Sequence, residues 1–204
     1  MRNLSVTNSV TLDGVMQAPG GPDEDRRGGF EHGGWAAPFS DSVMARKMGE
    51  GMAARSQLLF GRRTYESFAS YWPHQTDNPF TEVLDNTQKY VASRTLAEPL
   101  PWKNSTLLRG DAADAVAELK DSEGPDLVIL GSGELINSLA RRRLIDTYIL
   151  LVHPVVLGTG RRLFPDGATL SRFTLAETVS TTTGVIIATY QLQRVGRKNS
   201  SCQL

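Results

Sequence analysis

Asp126-Leu127-Val128-Ile129-Leu130-Gly131-Ser132-Gly133-Glu134 decides the class of fold. The run from Asp126 to Leu130 is apolar without alternation, the pattern of a strand that a parallel sheet buries on both faces. It ends in a glycine-rich turn and passes directly into a helix predicted over Glu134–Arg143. Arg141, Arg142 and Arg143 crowd the last turn of that helix, where cations complement its dipole.

The same unit recurs upstream. Gln57-Leu58-Leu59-Phe60 is a short apolar run that stops at Gly61, and Tyr65-Glu66-Ser67-Phe68-Ala69 beyond it suits a helix ended by Tyr71-Trp72-Pro73. A second short helix is predicted over Thr81–Asn86. Tyr90-Val91-Ala92 is a strand ending in Ser93-Arg94, Ser105–Leu108 is another, and Asp111 caps a helix over Ala112–Lys120. Residues 4–12 alternate and carry β-branched side chains, so they read as a strand closed by the turn Asp13-Gly14. Thr147–Val156 is a strand with His153-Pro154 near its end. Phe173–Thr181 and Val185–Gln193 form a hairpin around Thr182-Thr183-Gly184. Alternation of strand and helix over three quarters of the chain implies one α/β domain with a mostly parallel sheet, helices on both faces and an antiparallel C-terminal hairpin. The domain is read as residues 1–194, and the polar residues 195–204 as a disordered tail.

Two segments stay open to two readings. Pro19 to Gly34 holds six glycines and the acids Asp23, Glu24 and Asp25, followed by Arg26 and Arg27. A loop of this length is either functional or a floppy insertion. Ser40 or Asp41 caps a helix running to Ala54, on which Met44, Met48 and Met52 share one face. That stripe is either core or the wall of a substrate pocket.

Composition removes several function classes. Lys and Arg total 22 against 22 Asp and Glu in 204 residues, so no basic footprint for nucleic acid is present. No apolar run approaches a membrane span, and the first residues lack a signal-peptide hydrophobic region. The single Cys202 forms no internal disulfide and fits a reducing compartment, so the cytoplasm is the expected location. His32, His74 and His153 are not spaced as metal ligands, and no metal site is expected.

Chemistry gathers at three strand ends, where open α/β sheets bind ligands. One delivers Gly61-Arg62-Arg63-Thr64 to a helix start, one Ser93-Arg94, and one Gly131-Ser132-Gly133-Glu134-Leu135 to another helix start. Glycine admits a phosphate close to the backbone, helix N-termini offer free N–H donors, and arginine adds bidentate charge. Ile136 stands where the dinucleotide fingerprint wants its third glycine. Taken singly, the three ends also read as a tight turn, a solvated face and a helix start. Together they suit a dinucleotide carrying a ribose phosphate. The arginines favour NADP over NAD, since a 2′-phosphate wants cations where a free hydroxyl would want a carboxylate.

Leu59-Phe60-Gly61-Arg62-Arg63-Thr64-Tyr65-Glu66 resembles the segment that opens a cofactor-binding helix in dihydrofolate reductases, and Tyr90-Val91-Ala92-Ser93-Arg94 resembles their strand-end Ser-Arg. Ser9-Val10-Thr11-Leu12-Asp13-Gly14, His153-Pro154-Val155-Val156-Leu157-Gly158 and Gly160-Arg161-Arg162-Leu163-Phe164 are similar to the reductase half of the bifunctional riboflavin-biosynthesis deaminase-reductase. The resemblance covers about residues 4–194 in unbroken order. It implies an NADPH-dependent reductase with a mixed sheet of about eight strands, acting on a pyrimidine- or pterin-like heterocycle or a carbonyl substrate. By the same resemblance, Gly61, Arg62, Arg63 and Thr64 hold pyrophosphate or ribose phosphate. Ser93 and Arg94 hold the 2′-phosphate, and Gly131, Ser132, Gly133, Glu134 and Leu135 wrap the pyrophosphate and nicotinamide side. Riboflavin-type relatives are commonly dimers, which implies a homodimer.

One departure bears on the substrate. Dihydrofolate reductases carry an acid on the first helix that binds and helps protonate the pterin; here that position falls near Ala45, and Asp41 upstream reads as a helix cap. Asp13, at a strand end beside the glycine-rich loop, is the candidate proton donor, with a plain Asp-Gly turn as the other reading. Trp35 and Phe39 are candidates for stacking on a flat substrate, with core packing as the other reading. The alternative function is an NADP-binding protein of the same fold without turnover, and a third is a scaffold using the inherited fold.

Overall fold

The unalternated strand is the middle of the molecule. In the computed structural model, which describes residues 1–193, β5 (Leu127–Leu130) lies between β1 (Leu4–Thr11) and β2 (Gln57–Gly61), parallel to both. Ile129 pairs with Val6 on one side and Leu59 on the other, and all three are fully buried. Such burial stabilises by about 1.5–3 kcal/mol per large aliphatic side chain.

Around them are β3 (Lys89–Ala92), β4 (Ser105–Leu108), β6 (Thr147–His153), β7 (Phe173–Ser180) and β8 (Ile186–Leu192). Among the described residues these make one eight-stranded sheet in the order β4-β3-β2-β5-β1-β6-β8-β7. Pairing is parallel from β4 through β6 and antiparallel for the hairpin β7–β8. The helices are α1 (Ser42–Ala53), α2 (Arg62–Tyr71), α3 (Pro79–Asn86), α4 (Ala112–Asp121) and α5 (Gly133–Arg141).

The period of two along each strand sorts the core into two layers. Leu59, Leu127 and Ile129 point to the side covered by α4 and α5, where Val116, Ile136 and Leu139 are fully buried. Leu58, Phe60, Val128 and Leu130 point the other way, against Tyr65 of α2, Leu84 of α3 and Trp102. Farther along that sheet, Met44 and Met48 of α1 pack on Leu151, Val185 and Ile187.

Several boundaries move for local reasons. β6 stops at His153, where its partner β1 ends at Thr11 and where Pro154 has no N–H to continue a ladder. α5 stops at Arg141, because Arg143 is left-handed at φ 53° and Leu144 N–H donates back to the Leu139 carbonyl. Arg142 and Arg143 therefore lie in the turn after the helix. α3 begins earlier than predicted, at Pro79, with Asn78 as its cap. The segment 195–204 and Cys202 fall outside the described residues.

The glycine-rich segment 19–34 is built rather than floppy. Val15, Ala18, Phe30 and Trp35 bury against one another and against Val155 and Leu157. Gly160, at φ 110°, passes so close that a Cβ there would lie 2.7 Å from the Phe30 ring and 2.8 Å from Val15. Gln17 ties the layer together. Its side-chain amide donates to the carbonyls of Asp25 (3.0 Å) and Arg27 (2.9 Å), its side-chain oxygen accepts from Arg161 N–H (2.9 Å), and its carbonyl accepts from Trp35 Nε1 (2.7 Å).

Candidate functional site

The parallel register brings the C-terminal ends of β3, β2 and β5 side by side, since these strands are consecutive in the sheet. All three ends open into one cleft of about 1380 Å³, together with Thr7, Asn8 and Ser9 of β1. Gly61, Arg62, Arg63, Thr64, Ser93, Arg94, Gly131, Ser132, Gly133, Glu134 and Leu135 line it without exception.

Helix capping differs among the elements around this cleft, where α4 also starts, capped by Asp111. α1, α3 and α4 are capped by the side chains of Asp41, Asn78 and Asp111, which accept from their first-turn N–H groups. α2 and α5 begin at Gly61 and Ser132 with no side-chain cap at all. Their leading N–H groups are left for an external acceptor, and both helices start inside the cleft. A side-chain oxygen at those caps would stabilise each helix by a few tenths of a kcal/mol to about 1 kcal/mol, so leaving both uncapped is a small local cost offset when an anion binds.

The turn between β5 and α5 is shaped for close approach. Gly131 has φ 68°, and a Cβ there would lie 3.2 Å from Thr64 Cγ2. Gly131 N–H donates to Asn8 Oδ1 (3.1 Å), and Gly61 N–H donates to Ser132 Oγ (2.9 Å). Ser132, itself left-handed at φ 66°, thus locks the two turns together. Ser93 acts in a similar way. Its Oγ accepts from the N–H groups of Thr95 and Leu96, both at 3.1 Å, and so fixes the turn that presents Arg94.

Charge in the cleft departs from the neutral whole. Seven arginines line it against five carboxylates. Arg62 pairs with Glu66 (3.4 Å) and Arg63 with Glu134 (2.9 Å). Among the described residues, the Arg94 guanidinium has no hydrogen bond or ion pair. A free, exposed cation beside two uncapped helix starts is suited to a polyanionic ligand.

The family model for the RibD C-terminal domain matches residues 2–187. The chain belongs to that family. Uncharacterized protein YyaP of Bacillus subtilis is 26% identical over 196 residues, spanning 93% of this chain and 94% of its own. A putative riboflavin biosynthesis protein from Shewanella sp. PV-4 superposes with TM-score 0.66 at 21% identity, over 95% of this chain and all of that one. A dihydrofolate reductase from Enterococcus faecalis, solved with NADP(H), superposes with TM-score 0.59 at 15% identity, over 94% of this chain and 97% of that one. The fold is dihydrofolate reductase-like, and the RibD C-terminal family is one of oxidoreductases of the reductase type.

The structure places the remaining predicted residues of this RibD-type domain elsewhere. Asp13 does not line the cleft. Its carboxylate accepts from Thr11 Oγ1 (2.5 Å), Gly158 N–H (2.8 Å) and Leu157 N–H (3.3 Å), and these bonds, led by Thr11, hold it below the usual carboxylate range. It fastens the 157–158 turn to the end of β1. Trp35 and Phe39 are also outside the cleft wall: both rings pack edge-on against buried His153, at 5.1 and 5.6 Å. Burial pushes His153 down, and its Nδ1 lies 2.9 Å from the Leu151 carbonyl. Asp41 caps α1 and accepts from Thr182 N–H and Oγ1, both at 2.6 Å.

Other residues complete the wall, the methionine stripe among them as one of its two readings had it. Met48 and Met52, with Phe68 and Trp72 of the α2 region, form an apolar side of the cleft, so the methionine stripe serves both core and wall. Arg27, Asp25 and Arg161 close another side. Asp25 is held low, chiefly by the bond from Arg27. Glu24, also on the cleft lining, is raised by desolvation against the lowering bonds from the N–H groups of Gly20 and Gly21. Among the described residues no three His, Cys, Asp or Glu side chains are grouped to hold a metal ion, and no helix is long and apolar enough to cross a membrane.

Proposed function

We propose that this chain is an NADPH-dependent reductase acting on a small heterocyclic, pyrimidine- or pterin-like, or carbonyl substrate, in the manner of 5-amino-6-(5-phosphoribosylamino)uracil reductase. One observation carries the reading: the two uncapped helices and the unpaired Arg94 meet in a single cleft at three adjacent parallel strand ends. The N–H groups of Arg62 to Thr64 and of Ser132 to Leu135 would hold the pyrophosphate, with Gly61 and Gly131 letting it approach the chain, and Ser93 and Arg94 would hold the 2′-phosphate. Bound there, the nicotinamide would supply the hydride. The cleft floor at Thr7, Ser9 and Leu151 and the wall of Met48, Met52 and Phe68 would orient a flat substrate and exclude water. Asp13 acts as a positioning residue for the 157–158 turn in this reading. A cytoplasmic location and a homodimer belong to the same reading. The C-terminal hairpin supports the second, with β7 a free sheet edge and Leu175 and Ile186 exposed.

NADP binding without turnover is the second reading. What favours it is that Ala45 of α1 supplies no acid, that α1 lines the cleft with Met48 and Met52 only, and that Asp13 is turned into the 157–158 loop. Calorimetric titration with NADPH and NADH separates the outcomes. NADPH should bind more tightly, and at ~100 times its Kd it should add ~2.7 kcal/mol to stability. Arg94→Ala should weaken NADPH by about tenfold or more and leave NADH unchanged, the loss expected for one charge-assisted phosphate contact. Absence of binding by either nucleotide overturns both readings. Binding with no NADPH oxidation across pterin, pyrimidine and carbonyl panels selects the second.

A further inference from the structure

One carboxylate oxygen in the cleft is shared by three arginines from three separate segments. Glu134 Oε1 accepts from Arg63 of α2 at 2.9 Å, from Arg27 of the glycine-rich segment at 3.3 Å, and from Arg161 of the segment after β6 at 3.4 Å. A carboxylate oxygen has two lone-pair directions, so three guanidinium donors oversubscribe it, and the two longer bonds are loose. Glu134 is the second residue of α5, immediately beyond Gly131-Ser132-Gly133, and its side chain is 70% exposed. Asp25 takes Arg27 in a second pair.

We infer that Glu134 is an internal competitor of the cofactor's phosphates: in the free protein it holds Arg27 and Arg161 at the start of α5 beside Arg63 of α2, and an arriving phosphate displaces it. This rests on the reading of the cleft as a dinucleotide site. A phosphate group has more oxygens and more charge than one carboxylate, so it satisfies all three guanidinium groups where Glu134 satisfies one well. Displacement removes the carboxylate's share of the hold on the 19–34 segment, leaving Gln17 and the Phe30–Trp35 packing as its remaining ties. Glu134 therefore sets the affinity threshold of the site and links occupancy to the mobility of that segment.

The opposite role makes the opposite prediction. If Glu134 merely aligns the arginines for the ligand, removing its charge weakens binding. Glu134→Gln keeps size and hydrogen bonding and deletes the charge. Competition predicts an NADPH Kd about three- to tenfold lower in the variant at low salt, the range open to a few exposed ion pairs, with the difference shrinking as salt is added. It also predicts faster amide exchange over residues 19–34 in the ligand-free variant than in the wild type. An unchanged or raised Kd, or unchanged exchange in that segment, overturns the inference. If neither protein binds NADPH, the dinucleotide reading fails by itself. Inorganic pyrophosphate then serves as the probe: a larger thermal shift in Glu134→Gln than in wild type upholds competition, and equal shifts overturn it.

Discussion

Lys89 begins a strand in the layer that backs the cleft and is fully buried. Its Nζ donates to the carbonyls of Leu84 and Thr87, both at 2.7 Å, and of Asp85 at 3.3 Å, at the C-terminal end of α3. It also sits 4.4 Å from the centre of the Trp102 ring. Burial pushes this ammonium down to about 8 from an ordinary 10.5. Between those values the unfolded chain binds more protons than the folded one, so stability rises with pH. At roughly 1.4 kcal/mol per unit the full span is about 3 kcal/mol, of which about 2 kcal/mol is gained between pH 7 and 9.5. The carbonyls and the ring favour the charged form and make that figure a ceiling. Lys89→Met removes the titration and leaves the buried Leu84 carbonyl without its donor, a loss of about 1–3 kcal/mol. Urea unfolding of both proteins from pH 7 to 9.5 is the assay. Tyr148 stays out of this window, since burial raises it to about 12 and its effect, a fall in stability, begins above pH 10. The wild type should gain on Lys89→Met by up to about 2 kcal/mol across the range. Parallel profiles, separated by a constant amount, refute the reasoning.

Three further outcomes follow from the site. Asp13→Asn should lower activity through a loosened 157–158 turn while leaving the pH dependence of kcat in place; a lost pH limb in the kcat profile would restore Asp13 as proton donor. His153 is held neutral by burial, so the unfolded chain takes up its proton first. Its contribution to stability is complete above about pH 6.5 and lost as pH falls below, and His153→Phe should flatten the acid side of a melting profile. Trp35→Ala should cost about 3–5 kcal/mol by emptying the small core under the glycine-rich segment, read as a drop in Tm; a change near zero would show that the packing against Phe30 and His153 is dispensable.

The sheet was legible because its strands obey the rule that parallel strands are apolar on both faces. Leu127 to Leu130 and Leu58 to Phe60 had no other stable setting, and the glycines after them marked where the chain turns into helices. The three ligand-facing ends were legible for the same reason: strand direction and order place them together. Side-chain roles were less so. Asp13 looks like an acid at a strand end, but its meaning depends on the N–H groups of Leu157 and Gly158, some 145 residues away in the chain. Trp35 and Phe39 follow a polar loop and look available for stacking, yet buried His153 claims both rings from β6. Arg27 and Arg161 were visible only as members of a loop and of a family-like segment, because the tertiary structure alone brings them to Glu134. Gln17 was invisible for the same reason.

The capping pattern bears on function more strongly than any single motif. Asp41, Asn78 and Asp111 show that this sequence can supply a helix cap wherever a helix only needs to be stable. At Gly61 and Ser132 it does not, and both of those caps face the cleft, which the Asp111-capped start of α4 also lines. Ser132 has a hydroxyl and still does not cap its own helix; it accepts from Gly61 N–H across the sheet instead. Its oxygen thereby binds the two turns to each other and leaves the N–H groups of both helices pointing into the same space. A protein that used the cleft for an uncharged ligand would gain from ordinary caps at both positions. Substituting Gly61→Asp is the direct contrast: it would stabilise the free protein by a few tenths of a kcal/mol as a cap and, by filling the anion's place with a carboxylate, weaken phosphate-bearing ligands. Stability and ligand affinity should move in opposite directions on that one change, and movement together would mean that the uncapped helices are not where the anion sits.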